Sequence, residues 1–587
     1  MAATGSRQTY RPSTGQVRTL FDGLSARSKR NASIVAAAVA GAAFAELAML
    51  AAVLLFVGSL LPGEKSNVLL GSGPFASPPE AASLLIVAAV LATGLRLLVL
   101  RSGQRFATDV GHQVATRIFA KLLRQPLASF STRHSSIVIS GMEKVQILVT
   151  SILLPLTQAV TGTAIAIVLL VALVSISPIS ALTAIGFLGG AYLFSSLLLR
   201  ERLVGNSERV AAMSRARIRA IQEALGSIRD ILLEGSQDLF ERRFAQFDRE
   251  FRQAHAANLF LAAAPRHLVE AAGVIAVAVV AMVMSSTMGG LHGALPSLAA
   301  VTFVAYRLLP LVQQTYFGWS QLTGNRGALA DVLTLLSMPV DERQKPAVAL
   351  PKVFCSHISF DRVTFAHSGQ QPILREVDLK IVAGDRVGIV GVTGSGKSSL
   401  LDLLMGLREP TAGEVRIDGQ LLDQARRAAW RAQIAHAPQR IFLLDASVLE
   451  NIAFAQPRAG IDWDRAWKAA QTAQLEAMIV GLPHGLETIV GENGVRLSGG
   501  ERQRLGIARA LYRAASVLVL DEATNSLDHD TEARILSAIA RDHRGTLIIA
   551  GHRASSLSIC DTLLCVEEGA VRRVTSPAEP QRGPATA

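Results

Sequence analysis

Cysteine is nearly absent from this chain of 587 residues: there are three, Cys355, Cys560 and Cys565. Their spacing offers no zinc pattern, and the number is too small for a disulfide framework. All three read as small buried apolar residues. Aromatic residues make up 5% of the chain and charged residues 18%. The first 30 residues lack the short apolar core and small-residue cleavage site of a signal peptide. They are polar and basic instead (Arg7, Arg11, Arg18, Arg27, Lys29, Arg30) and read as a cytoplasmic lead-in.

What fills the chain is apolar. Half of it is hydrophobic, with a mean hydropathy of +0.35, which points to membrane spans. Stretches long enough to cross a bilayer run at about Ile34 to Leu61, Ala81 to Leu100, Ile152 to Ile176, Ile179 to Leu199, Leu259 to Met284 and Leu298 to Phe317. The net charge of +12 and pI near 10.1 would also suit a nucleic-acid binder. The distribution argues otherwise, because the intervals after spans one, three and five hold only Lys65 among lysines and arginines. The positive-inside rule then puts both termini in the cytoplasm, and no nucleic-acid partner is expected. The two inner loops, Arg101 to Lys144 and Arg200 to Asn258, carry helical periodicity. The expected divisions are a cytoplasmic segment 1–30, a six-helix membrane domain 31–336, a linker 337–350, a second domain 351–573 and a disordered tail 574–587.

Chemistry gathers in the last third. Val387 to Val390 reads as a short buried strand. It runs into Gly391-Val392-Thr393-Gly394-Ser395-Gly396-Lys397-Ser398, which fits the phosphate-cradling loop G-x-x-x-x-G-K-[ST], with Ser399 opening the helix that follows. Backbone N–H groups there close around phosphates, Lys397 reaches the terminal ones, and the Ser398 hydroxyl can ligate Mg2+. Further on, Val517 to Leu520 is a buried strand ending in Asp521 and Glu522. One carboxylate can hold Mg2+ while the other deprotonates an attacking water. Alone the pair reads equally as a solvated turn. Leu497-Ser498-Gly499-Gly500-Glu501 places small residues at a helix start, where an anion is favoured, although a C-cap glycine pair is the plain alternative.

Together these motifs resemble the ATP-binding cassette (ABC) superfamily over about residues 355 to 570. The resemblance implies an α/β P-loop nucleotide-binding domain behind an α-helical six-span transmembrane domain, the exporter fold, with ATP and Mg2+ as cofactors. It makes Gln439 the glutamine that touches Mg2+ and the water, and Asp528 in NSLD the D-loop aspartate. His552 becomes the switch histidine against the γ-phosphate; as an isolated residue it would read as a surface histidine. Asp521, Gln439 and Ser398 form the metal set, and Glu522 activates water. Val490 to Gly494 resembles an exporter-type coupling loop, and coupling helices are expected near Gln125 to Ser131 and Gly226 to Leu233. His367 stands where the family has a stacking tyrosine, which implies weaker adenine binding. Because Ser498, Gly499 and Gly500 of such a signature close on the partner's nucleotide, a homodimer is implied.

HSSIVISGMEKVQILVTSILLPLTQ, Pro265 to Glu270 and Tyr306 to Gln314 resemble bacterial flippases for lipid-linked oligosaccharides. That resemblance implies a lipid-linked or related glycolipid cargo at a bacterial inner membrane, with an exporter of another lipid, drug or hydrophobic peptide as the alternative. Cationic groups in apolar spans need a reason. Arg307 in span six is the candidate substrate contact, followed by Arg266 with Glu270, four residues apart and able simply to pair. Arg96 and Glu46 are lesser candidates, and Arg96 reads as snorkelling to the headgroups. Pro310 should kink span six. Pro62 to Pro79 is a candidate outward-facing element.

Overall fold

The computed structural model describes residues 24–59, 77–132, 135–176, 185–287, 291–338, 354–367, 370–491 and 494–574. Most of the expected lead-in, the linker but for its first two residues, the tail past Val574, the outer element at 62–79 but for its last three residues, and Glu492 and Asn493 of the coupling loop lie outside them. The chain divides into two compact units, residues 1–125 with 130–340, and residues 341–587 with 126–129.

The described residues of the first unit are helical: α1 (Ala26–Ser59), α2 (Pro78–Leu123), α3 (Leu127–Thr132), α4 (Ser135–Ile147), α5 (Leu154–Ile176), α6 (Gly190–Gly226), α7 (Ile228–Glu234), α8 (Gln237–Thr287), α9 (Leu291–Gly324) and α10 (Arg326–Leu336). Prolines at its first positions start α2, where a missing N–H costs nothing. Among the described residues, Ala26–Val53, Pro78–Leu123 and Val138–Ala172 are long and apolar enough to cross a membrane. The other three expected spans fall on α6, α8 and α9, the fourth from Ile185 onward. The inner loops are helical extensions of the spans, as their periodicity predicts. Short helices α3 and α7 stand at the two loop tips where coupling helices are expected. α9 continues as helix through Pro310. Small residues let α5 and α9 approach closely: a Cβ on Gly318 would sit 2.8 Å from the Pro155 carbonyl oxygen. Farther along the bundle Asp331 accepts from Arg215 (2.8 Å) and from the buried Lys144, joining α4, α6 and α10.

The second unit is α/β. A six-stranded sheet, ordered β10-β9-β3-β8-β7-β6, is parallel except at its β10 edge. Its strands are β3 (Arg386–Val390), β6 (Ile434–Ala437), β7 (Val517–Asp521), β8 (Thr546–Ala550), β9 (Thr562–Glu567) and β10 (Ala570–Val574). An antiparallel sheet β2-β1-β4-β5 comprises β1 (His357–Phe365), β2 (Leu374–Val382), β4 (Ala412–Ile417) and β5 (Gln420–Leu421). The central strands are branched and aliphatic because both faces are covered; all five residues of β8 are buried. Helices α11 (Lys397–Leu404), α12 (Gln424–Ala432), α13 (Val448–Ile452), α14 (Trp463–Thr472), α15 (Glu476–Gly481), α16 (Gly499–Arg513), α17 (His529–Asp542) and α18 (Ala554–Leu557) complete it. Trp430 anchors one core, fully buried, edge-on to Phe354 at 5.4 Å and donating to the Leu404 carbonyl at 2.8 Å.

The cysteines correct one expectation. None of the three is in a disulfide, but Cys355 is exposed and the other two only half-buried. Cys355 lies just before β1, where its N–H donates to Asp418 Oδ2 at 3.2 Å. Burial does push the Cys560 thiol up to about 12.

Candidate functional site

Phosphate chemistry begins where β3 ends. The loop from Gly391 leads into α11, and Gly394 and Gly396 adopt φ +85° and +108°, a region costly for a side chain. At 396 a Cβ would also stand 2.9 Å from Ile373 Cγ2. Val392, Thr393, Gly394 and Ser398 are exposed and Ser399 half-buried at the helix start, where free N–H groups suit an anion. Lys397 is buried, and its Nζ donates to the carbonyls of Gly391 (2.7 Å) and Val392 (3.1 Å). The Ser395 hydroxyl oxygen is buried without a hydrogen bond. An orphaned hydroxyl beside a lysine bonded only to its own loop is the arrangement a phosphate oxygen would complete.

β7 delivers the carboxylates. Burial, then the neighbouring Glu522 and Asp402, push the Asp521 carboxyl above the usual range, with Lys397 opposing. Asp402, on α11, escaped the sequence reading. Glu522 takes a left-handed φ of +49°, and its N–H donates to the Ala550 carbonyl at 2.9 Å. Its side chain meets Gln439, whose Nε2 donates to Glu522 Oε2 at 2.7 Å, while Asn525 Nδ2 donates to the same oxygen at 2.9 Å. Among the described residues no group of three or more His, Cys, Asp or Glu is placed to hold a metal alone. The donor set Ser398, Gln439 and Asp521 is nevertheless a hard-oxygen set suited to Mg2+, with phosphate oxygens completing it. A divalent cation would also relieve the crowding of negative charge on Asp521.

The remaining motif residues surround the turn after β7. Asp528 caps α17, accepting from the Thr531 N–H at 2.9 Å, and that bond holds its carboxyl below the usual range. His552, just past β8, is exposed. Next to it Arg553, which sequence reasoning missed, donates to the carbonyls of Asn525 (2.9 Å) and Leu527 (3.2 Å). It also lies 3.9 Å from the buried Glu532. Burial raises the Glu532 carboxyl, but bonds from Ser556, Thr524 and Ser555 outweigh it and leave it low. Ser498 caps α16 in a capping box with Glu501, which fixes the helix start. Gly500 lies against Ser526, whose N–H donates to Gln503 Oε1 at 2.8 Å. The signature thus stands beside the 524–528 turn of its own chain.

His367 meets Phe365 edge-on at 5.2 Å, and Arg408 Nη1 approaches its Nδ1 at 3.5 Å. Arg408 is fixed by Asp402 at 2.9 Å. The ring's neighbour is therefore a guanidinium, which no sequence motif announces.

In the helical unit, Arg266 and Glu270 pair with each other at 2.7 Å and are partly exposed. Arg307 does not stand alone. Glu46 of α1, only 2% exposed, pairs with Arg96 of α2 and lies 3.6 Å from Arg307 Nε of α9. Arg96 is thus held by a buried carboxylate. Both arginines line a cavity of about 320 Å³ together with Gln104, Gln158 and Gln314.

A P-loop ATPase unit in one chain with a bundle of membrane-length helices defines an ATP-driven membrane transporter. Residues 374–525 match the ABC transporter family and 42–309 the ABC transporter transmembrane region. An uncharacterised ABC transporter ATP-binding protein, y4gM of Sinorhizobium fredii, is 30% identical over 78% of both chains. An ATP-dependent lipid A-core flippase of Albidiferax ferrireducens is 29% identical over 86% of both. Alignments to other proteins of that description cover 36–64% of their length. A bacterial Atm1-family ABC exporter solved with ATP bound shares the fold, with a TM-score of 0.77 at 24% identity over 93% of this chain and 95% of that one. This chain belongs to the ABC transporter family, has the exporter fold, and couples ATP hydrolysis to transport across a membrane.

Proposed function

We propose that this transporter moves a lipid-linked oligosaccharide or a related glycolipid across a bacterial inner membrane, as a homodimer with both termini and both cassettes in the cytoplasm. The observation that carries the cargo is the pair of guanidinium groups, Arg96 and Arg307, held inside a helical membrane unit at the wall of a cavity that also offers three glutamine amides. Charges in such a place are costly and need an ionic purpose, and an anionic, sugar-bearing headgroup supplies one. The lipid A-core flippases among the relatives support a lipid cargo. The charge asymmetry of the loops supports the orientation.

In the cassette, the loop from Gly391 to Ser398 binds the phosphates together with Ser399, in the first turn of α11. Ser398, Gln439 and Asp521 hold Mg2+, which when bound would neutralise charge on the transferred phosphoryl group. Glu522 takes the proton of the attacking water, with Gln439 and Asn525 fixing the carboxylate. His552 meets the γ-phosphate, and His367 carries the adenine. Ser498, Gly499 and Gly500 with Asp528 act across the dimer, which makes the two sites interdependent. Arg266 and Glu270, paired with each other, border the cargo path.

The test is stimulation of ATP hydrolysis by cargo in nanodiscs, offering a polyprenyl-linked oligosaccharide, a phosphorylated glycolipid, a neutral diacylglycerol and a hydrophobic drug. Stimulation by the two glycolipids alone supports the reading. Stimulation by the drug alone moves the cargo to the hydrophobic-compound class.

A further inference from the structure

Charge counting at the cavity goes further. Arg96 and Arg307 bring two positive charges and Glu46 one negative, and all three meet: Arg96 Nη2 bonds Glu46 Oε1, and Arg307 Nε lies 3.6 Å from Oε2. Glu46 is shut away from solvent at 2% exposure, whereas Arg96 remains 41% exposed. Arg307 is only partly satisfied. Its buried Nε makes no hydrogen bond and its Nη2 donates to the thioether of Met49 at 3.1 Å, a weak acceptor. Among the described residues the remaining polar groups at the wall, glutamines and threonines, are neutral. One positive charge is therefore left over, in a setting where an unmatched charge interacts strongly.

We infer that Glu46 sets the charge of the cargo: each protomer's cavity receives a lipid headgroup presenting one negative charge, a phosphodiester or a carboxylate, bound between Arg96 and Arg307. The inference rests on the glycolipid reading above and narrows it to headgroups that bring one charge to each cavity, a glycan joined through a phosphodiester rather than through a pyrophosphate. Glu46 fills the place a second negative charge would take, so a headgroup bringing two charges to one cavity meets a buried carboxylate that cannot leave. The amides of Gln104, Gln158 and Gln314 are then free for the neutral, hydroxyl-bearing part of the headgroup. A homodimer has two such cavities and accommodates two charges in all, one at each.

The experiment is equilibrium binding to the full-length protein in detergent micelles. The radiolabelled probes are dioctanoyl phosphatidylglycerol (one charge), dioctanoylglycerol (none) and dioctanoylglycerol pyrophosphate (two or more), with free glycerophosphoglycerol as the headgroup without chains. Wild type should prefer phosphatidylglycerol over both other lipids by on the order of tenfold, the scale of one unmatched charge near a protein surface. Glu46→Gln should reverse the order, favouring the pyrophosphate by a similar factor. Arg307→Gln, which leaves no net charge, should erase the preference for phosphatidylglycerol over the neutral lipid. Glu46→Asp should keep the wild-type order. Each reading is a ratio within one variant, so loss of folded protein cancels, and if Glu46→Gln does not fold, the Arg307→Gln ratio decides alone. An unchanged order in Glu46→Gln, or an unchanged ratio in Arg307→Gln, overturns the inference. Equal binding of glycerophosphoglycerol also overturns it, by assigning the cavity to soluble anions. If these ratios move as expected while no glycolipid stimulates ATP hydrolysis, the charge rule stands and the cargo reading falls.

Discussion

Replacing Glu522 by glutamine changes one atom of the side chain and separates binding from hydrolysis. In the wild type Glu522 Oε2 accepts from Gln439 Nε2 at 2.7 Å and Asn525 Nδ2 at 2.9 Å. The glutamine carbonyl can accept the same two bonds, now neutral, and a charge-assisted bond exceeds a neutral one by about 1 kcal/mol. Against that small loss, Asp521 loses the like charge that helps push its carboxyl up. The fold and the affinity for ATP should thus change little. What disappears is the proton acceptor, worth roughly 10²–10⁴ in rate. Phosphate release from proteoliposomes, paired with equilibrium binding of a fluorescent ATP analogue, separates the two effects. Affinity within about threefold and hydrolysis down by at least about 10² are expected. Hydrolysis within about fivefold of wild type would refute the assignment of Glu522 as the base.

Gly396→Ala would force a side chain into φ +108° and against Ile373, costing about 1–3 kcal/mol and weakening ATP binding by more than about tenfold; unchanged titration of ATP would contradict it. His367→Tyr enlarges the stacking surface beside Arg408 and should lower KM for ATP, so an unchanged or higher KM argues against His367 as the adenine contact. Trp430→Ala empties a fully buried site and removes the bond to Leu404, costing about 3–5 kcal/mol, read as an earlier cassette transition in calorimetry; an unmoved transition would contradict the packing. Because the Asp521 carboxyl is raised in the folded state, its contribution favours folding below the ordinary aspartate range and is lost as pH rises through the raised value. Nucleotide-free Asp521→Asn should therefore lack that decline in thermal stability, and an identical pH profile in the two proteins would speak against it.

Much of this was legible in the chain because glycine-rich loops and strand-end carboxylates are local. Gly391 to Ser398 and Asp521-Glu522 announce themselves by spacing, and the loop-tip helices by their place between periodic runs. Pairings across elements were not legible. Glu46 is distant in sequence from Arg96 and Arg307, so an acidic residue, a snorkelling candidate and a candidate substrate contact carry no sign that they converge. Likewise Arg408 meets His367, and Arg553 ties the 525–527 carbonyls to Glu532, only through the fold. Exposure of Cys355 also escaped, since a small apolar residue before a strand gives no hint of which side it faces. The sheet order brings Gln439, after β6, to Glu522, after β7, and that adjacency follows from parallel pairing that spacing alone does not specify.

The most direct test is translocation itself, followed by protection of a fluorescent lipid-linked oligosaccharide from a membrane-impermeant quencher in proteoliposomes. The account predicts an ATP-dependent change in the protected fraction with wild type, none with Glu522→Gln, and a slower change with Arg307→Gln. Brisk ATP hydrolysis with no movement of that lipid, or of any phosphorylated glycolipid offered in its place, would contradict it.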